Sequence, residues 1–481
     1  MPAFIIKRTK RYHSVTSTQV QPGRFSEAWA QVLARNGESP AILQPDGAPL
    51  RTFAGIEQER RTWRDALGGL PHRSAVLGQL GNAPGWPALF LACLDLELVL
   101  VPVESSIPED QLSRVATLAR AQAVIRPGGT VEVFERDRLA WGEPAPDVLK
   151  ITSGTTGLPR AVCCRERHLA ADCRNICATM GIRPEDINFG VIPFSHSYGF
   201  SNLVTPLLWQ GTRLVCAHDR LPRALHQQLR ESGSTVFPGT PALFQALAAL
   251  PGTEDLGRVR LCISAGAPLA AEVVRQFVRR YGLVIHSFYG SSECGGIAYD
   301  RVGRQDQPTG FAGTPMEGVE IRLVEGDRIE VYGPNVADGY LPIAEPEVLD
   351  GARFRPGDLV TSTEAGLRLY GRVSDFINVA GKKLHPSMIE EHLRRYPGVI
   401  DAIVFGIPSP NRNEELIAYV VAGPAVTRSQ IEEHCRAGLS GWQLPRDVLV
   451  VSELPVNDRG KCSRAELARF YLERHQAGPG V

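Results

Sequence analysis

Short, fully apolar runs alternate along this chain with stretches whose apolar residues recur at helical spacing. The period over 54–67 predicts a helix, and the apolar run 74–80 that follows it predicts a buried strand. Upstream, Ser26 stands where an N-cap would open a helix, and Pro45-Asp46-Gly47 carries the turn chemistry of a short hairpin. The longest apolar stretch, 86–103, contains Pro87, Asp95, Glu97 and Pro102, which make a bilayer crossing costly, so it reads as a core helix followed by a strand. Two further apolar runs, 259–263 and 283–285, read as buried strands, each running into small and hydroxylated residues. Such alternation predicts an α/β fold, with sheets covered by helices and ligand loops leaving the strand ends.

The pattern changes beyond Gly371-Arg372. Ser387 with Glu390, Thr427 with Gln430, and Ser463 with Glu466 each have capping-box spacing and open three helices. Between them, 399–407 and 416–422 read as strands. The chain is therefore expected to divide into a large N-terminal domain of helix-covered β-sheets, 1–371, and a small mobile α+β C-terminal domain, 372–481.

Candidate chemistry sits where the apolar runs end. ITSGTTGLPR (151–160) gathers the hydroxyls of Thr152, Ser153, Thr155 and Thr156, two glycines, Gly154 and Gly157, and the fixed charge of Arg160. A loop of that kind offers many donors to phosphate oxygens in few residues. It is not a Walker loop, because GxxxxGK followed by Ser or Thr is absent; taken alone, it also fits a polar surface loop. SAGAPL (264–269) forms a small-residue ledge on which a flat ring can lie. FYGSSECGG (288–296) places an aromatic ring, two hydroxyls and one carboxylate on a loop: Tyr289 can stack on a base, and Glu293 can hold a magnesium ion. Asp358, after Pro356-Gly357, puts a carboxylate on a turn, where it can accept from ribose hydroxyls. GRVSDFINVAGKKLHP (371–386) and PVNDRGKCSR (455–464) add the cations Arg372 and Lys461.

In this order, the five blocks resemble the core motifs of the acyl-adenylate-forming superfamily of AMP-dependent synthetases and ligases, and most closely its stand-alone acyl-CoA synthetases. The resemblance extends from about residue 26 to about residue 474. It implies that residues 152–160 wrap the β- and γ-phosphates. Ala265, Gly266 and Ala267 would sandwich the adenine with Tyr289, beside Gly290 and Ser291. Ser292 and Glu293 would meet the α-phosphate and Mg²⁺, while Asp358 and Arg372 would hold the ribose. Lys461 would be the adenylation lysine, a fixed cation where charge builds up at phosphorus. His196, in PFSHSYGF (193–200), would face the carboxylate end of an acyl pocket that Gly199 permits to be deep. Gly381 would pass closest to the thiol arm of the acceptor after the small domain rotates, with Lys382 and Lys383 either meeting CoA phosphates or forming a solvated loop. Two positions depart from the family pattern. Arg160 stands where lysine is usual, and Ser374 occupies the hinge place, with Asp375 following it.

The implied activity is ATP-dependent activation of a fatty or aryl carboxylic acid to an acyl-adenylate, followed by thioester formation with CoA. The alternatives are a stand-alone enzyme loading a carrier protein and a non-catalytic paralogue that binds nucleotide or acyl groups. Composition narrows the partners further. The 481 residues carry 52 basic and 52 acidic side chains, a balance that argues against nucleic acid or a membrane surface as partner. The ten cysteines form no CxxC pair and show no metal spacing, so reduced thiols in a cytoplasmic enzyme are expected. Lys7, Arg8, Lys10 and Arg11 read as a solvated tail.

Overall fold

Short, largely buried strands, four of them four residues long and the fifth seven, form the centre of the larger sheet. Arg213–Cys216, Ile187–Gly190, Val236–Gly239, Leu261–Ser264 and Ile285–Ser291 lie side by side and parallel. Continuous apolar runs rather than alternating ones are what double-sided burial selects. Past Ile285–Ser291 the eleven-stranded sheet turns antiparallel, through Gly295–Tyr299, Phe311–Pro315, Gly366–Arg372 and Asp358–Thr363. A seven-stranded sheet is built around Ala75–Gly78, Val99–Pro102 and Val148–Ser153, and a three-stranded sheet around Arg328–Tyr332. This computed structural model describes residues 23–476 except 135–136, 138, 140, 143, 154–158, 253–254, 410–411 and 455–462. The basic N-terminal patch, Gly154, Thr155, Thr156, Gly157 and Lys461 fall outside the described residues.

The stretch 86–103 folds as expected, into the helix Trp86–Asp95 and the strand Val99–Pro102. That helix is apolar all round because it is enclosed: Phe90 meets Phe25 and Phe200 edge-on, with ring centroids 5.3 and 5.1 Å apart. The helix Phe53–Leu67 and the hairpin of Pro40–Leu43 with Pro49–Thr52 also follow the sequence. Ser26 does not cap its helix. Phe25–Asn36 begins after Arg24, and the Glu27 carboxylate reaches back to accept from the Gly23 and Arg24 amides at 2.8 and 3.4 Å.

In the C-terminal region the strands Val399–Ser409 and Asn413–Ala422 pair antiparallel, and their side chains alternate between two cores. Ala402, Val404, Leu416, Ala418 and Val420 face the helices Pro386–Arg394 and Arg428–Gly438. Ile403, Phe405, Ile417 and Tyr419 face the opposite side and the helix Arg464–Gln476. The period of two thus splits one hairpin between two hydrophobic layers. Thr427 and Ser463 act as expected, Thr427 in a capping box with Gln430 and the Ser463 hydroxyl accepting from the Glu466 amide at 3.3 Å. Ser387 does not, because the His385 imidazole precedes it and its Nδ1 accepts the Ser387 amide at 3.3 Å. No helix of the described residues is long and apolar enough to cross a membrane.

Candidate active site

FYGSSECGG is a hairpin rather than a loop following a strand: Phe288, Tyr289, Gly290 and Ser291 end one strand, and Gly295 and Gly296 start the next. The strand pins Tyr289 in place. Its ring is 9% exposed, and its hydroxyl donates to Asp358 Oδ2 at 2.7 Å. Arg372 Nε donates to the other oxygen, Oδ1, at 2.7 Å. Asp358 opens the strand Asp358–Thr363, and its register partner is Arg372, so two neighbouring strands bring carboxylate and guanidinium together. Burial, followed by the Asp358 charge, pushes the Tyr289 hydroxyl well above the usual phenol range, so it remains a donor. Next to this group, Ala265, Gly266 and Ala267 leave the end of the strand Leu261–Ser264. Gly266 has φ +93° with open space where a Cβ would stand, and the Ala265 amide donates to the Gly239 carbonyl at 3.1 Å. Of these three, Gly266 borders open space, while Ala265 is buried.

Four residues along the hairpin from Tyr289 lies Glu293, 9% exposed, and Tyr340 Oη donates to its Oε1 at 2.9 Å. Arg160 completes this end. Its Nη1 lies 3.1 Å from Glu345 Oε1, its Nη2 lies 3.8 Å from Glu293 Oε1, and its guanidinium stacks 4.2 Å from the Tyr340 ring centroid. The strands Val148–Ser153 and Pro159–Cys164 pair antiparallel, with Thr152 opposite Arg160, so the hydroxyl-rich segment connects a hairpin. The buried Thr152 hydroxyl has no partner among the described residues. Unpaired buried hydroxyls are costly unless a ligand satisfies them, which fits an anion site.

Ser292 and the PFSHSYGF segment meet: Ser197 Oγ donates to Ser292 Oγ at 2.9 Å, on a turn whose N-cap is His196, with Nδ1 accepting the Tyr198 amide at 3.3 Å. His196 thus stands one residue from a contact with the Glu293 hairpin. Gly199 does not open a deep pocket. It is buried, and a Cβ there would lie 2.1 Å from the Pro193 carbonyl oxygen, so the glycine serves backbone packing. The residues after it form the buried π-helical turn Phe200–Val204. Gly381, at φ +84°, lies on an exposed turn between Ile377–Val379 and Lys382–Leu384, and Lys382 Nζ stands 5.0 Å above the Trp442 ring.

Several residues the sequence did not flag hold the hairpin in place. The Ala337 amide donates to the Glu293 carbonyl at 2.9 Å. Asn335 Nδ2 donates to the carbonyls of Cys294 and Gly296, the latter at 3.3 Å. Asp172 accepts the Gly296 amide at 2.8 Å. The only advance signal was a charge inside the apolar stretch around Asp172. Cys294 is buried, and burial raises its thiol far above the ordinary range, so it presents no reactive thiolate.

Among the described residues, no group of three or more His, Cys, Asp or Glu side chains is assembled to hold a metal. A lone carboxylate beside a phosphate site is nevertheless the usual protein share of a Mg²⁺ site, where substrate phosphates and water complete the shell, and Glu293 fits that share.

The candidate site is thus a tyrosine, a carboxylate and a guanidinium in direct contact at one end of the 288–296 hairpin, with a second guanidinium, Arg160, between two carboxylates near its turn. The profile of the AMP-binding enzyme family matches residues 140–351, and that of the AMP-binding enzyme C-terminal domain matches residues 388–461; the chain belongs to this family. It is 27% identical to a feruloyl-CoA synthase of Amycolatopsis sp, over 83% of this chain and 89% of that protein. It is 27% identical to the sulfoacetate–CoA ligase of Cupriavidus necator, over 94% of this chain and 99% of that protein. Its fold matches ATP-bound MatB from Rhodopseudomonas palustris with a TM-score of 0.79 and 22% identity, covering 93% of this chain and 98% of that one.

Proposed function

We propose that this chain is an acid–thiol ligase that activates a carboxylic acid with ATP and passes the acyl group to CoA. The reading is carried by Asp358, gripped by Tyr289 and Arg372 at one end of a hairpin whose turn carries Glu293 beside Arg160. That arrangement suits a nucleoside at one end and a phosphate chain at the other, and CoA ligases among the relatives support the reaction class.

In the first half-reaction, a carboxylate oxygen attacks the α-phosphorus and the bond to pyrophosphate breaks, giving an acyl-adenylate. In the second, the thiol sulfur attacks the acyl carbon, and AMP leaves with the electrons of the carbon–oxygen bond. Asp358 and Arg372 hold the ribose, Tyr289 and Ala265–Gly266–Ala267 enclose the base, and residues 152–160 bind the phosphates. Ser292 and Glu293 act at the α-phosphate. A magnesium ion held by Glu293 would neutralise phosphate charge. Lys461 supplies the cation for the in-line step, His196 faces the acid, and Gly381 admits the thiol arm after the domain 372–481 rotates against 1–371.

Carboxylate-dependent exchange of labelled pyrophosphate into ATP, without CoA, across aliphatic and aryl acids, tests this. Exchange with some acids, lost in Lys461→Ala while a supplied acyl-adenylate is still thioesterified, supports the reading. Transfer to a carrier protein but not to CoA would replace the acceptor. ATP binding without exchange for any acid would make the chain a non-catalytic binder.

A further inference from the structure

Asp172 lies in the middle of the helix Glu166–Met180 and is 2% exposed, yet none of the roles above uses it. A buried carboxylate is costly unless its hydrogen bonds repay the lost hydration. Its Oδ1 accepts the Gly296 amide at 2.8 Å, across 124 residues of sequence. The fit to the hairpin is tight. Gly295 has φ +65°, and a Cβ there would stand 2.1 Å from the Asp172 carboxyl carbon. Asn335 takes the neighbouring carbonyls from another direction, and the Ala337 amide takes the Glu293 carbonyl. The turn 292–296 is thus held through its backbone, while the Glu293 side chain is engaged separately, by Tyr340 and Arg160.

The counter-charge comes from Lys150, 8% exposed, on the strand Val148–Ser153 that runs into the hydroxyl-rich loop. Burial raises the Asp172 carboxyl above the usual range, and the Lys150 ammonium and the Gly296 amide pull it back down. One buried acid therefore ties the helix Glu166–Met180 to the turn that carries Glu293.

We propose that Asp172 is a positioning residue that fixes the Glu293 turn for Mg²⁺ and the α-phosphate, a role that rests on the reading of the site given above. It touches neither substrate nor metal. Its effect passes through the Gly296 amide and the packing of Gly295.

The test uses the full chain, with two readings. The first is the Mg²⁺ concentration that half-saturates pyrophosphate exchange. The second, which needs no turnover, is thermal stabilisation by Mg²⁺ with the unreactive α,β-methylene analogue of ATP. Asp172→Ala should raise the half-saturating Mg²⁺ concentration by about tenfold, the usual scale for a lost outer-shell partner, and shrink the thermal shift. Asp172→Asn, which retains an acceptor oxygen, should recover most of both. In a Glu293→Ala background, Asp172→Ala should add nothing to either reading. If Asp172→Ala lowers the melting temperature but leaves Mg²⁺ dependence and analogue binding at wild-type values, the proposal is overturned and Asp172 is structural. Should that variant not be recovered folded, Gly295→Ala pushes the same turn from the other side and must give the same two shifts, and wild-type values there overturn the proposal equally. Exchange with no acid at all, with the analogue binding arm intact, would count against the ligase reading alone.

Discussion

At the nucleoside end of the crevice, one carboxylate meets one hydroxyl and one guanidinium, each at 2.7 Å, and both of its oxygens are used. At the phosphate end, one guanidinium is divided between Glu345 at 3.1 Å, Glu293 at 3.8 Å and the face of Tyr340. The first group is already arranged before a ligand arrives. In the proposed role a ribose would add hydrogen bonds to Asp358 without displacing Tyr289 or Arg372 from the strands that hold them. In the proposed role the second group would compete with its ligand, because phosphates would have to draw Arg160 away from the carboxylates that already neutralise it. Preorganised and contested charge thus lie at two ends of one site, and ATP binding should respond oppositely to the removal of Asp358 at one end and of Glu345 at the other.

The largest effect is expected from Glu293→Gln. It keeps the shape and an acceptor for Tyr340 but removes the charge proposed to hold Mg²⁺, and should cut the rate of pyrophosphate exchange about 100-fold, the scale of losing one fixed electrostatic group at a reacting centre. A rate within a few-fold of wild type would take Glu293 out of the chemistry. Asp358→Ala comes next. Losing a charge-assisted hydrogen bond costs about 1.5–3 kcal/mol, so the KM for ATP should rise about tenfold or more, with a smaller change in kcat. An unchanged KM would show that the arranged group does not read the nucleoside.

The difference between the two ends also explains what could be read before folding. Tyr289, Glu293, Asp358 and Arg372 stand in compact motifs whose residue types state their chemistry, and the fold brings the first, third and fourth into direct contact. Arg160 was legible as a cation, but Glu345 was not, because it lies 185 residues away and nothing around it marks it as a partner. The same holds for Asp172 and Gly296, joined only by the packing of a helix against a hairpin. Local patterns failed where a stronger neighbour competed: Glu27 displaced Ser26 as the cap, and His385 displaced Ser387. Gly199 was misread because a glycine that admits a ligand and one that admits another backbone segment look alike in sequence.

Glu345→Gln sharpens the comparison most directly. Partly exposed ion pairs are worth up to about 1 kcal/mol, so freeing Arg160 from Glu345 should lower the KM for ATP about two- to fivefold, with the gain largest at low salt. A rise in KM instead would show that Glu345 aims the guanidinium at the phosphates, making the two ends alike. The sign decides between the two.

The smallest effect concerns the support beneath the contested end. Arg165 grips Asp338 through Nε and Nη2, at 2.7 and 2.5 Å, just before the strand Gly339–Leu341 that carries Tyr340 to Glu293. His168, 3% exposed, braces the same corner: its Nδ1 accepts the Arg165 amide at 3.0 Å, and its Nε2 faces Asp338 Oδ1 at 3.7 Å. Burial lowers its pKa to about 4, with Asp338 opposing the shift and the cations of Arg167, Arg165 and Lys150 adding to it. An unfolded histidine titrates near 6.5, so between about pH 6.5 and 4 the unfolded chain takes up a proton that the folded chain refuses. The stability contributed by neutral His168 is therefore complete above about pH 6.5 and is lost as the pH falls towards 4, on the order of 3 kcal/mol. His168→Gln offers an amide oxygen to the Arg165 amide but does not titrate, so its melting temperature should fall less steeply than that of wild type across this window, by a few degrees. Parallel curves would mean that the acid sensitivity arises elsewhere. A flattened curve would place a pH-dependent strut under the phosphate end. At the other end, Tyr289 and Arg372 both lie above their ordinary pKa ranges and keep their protons across this window.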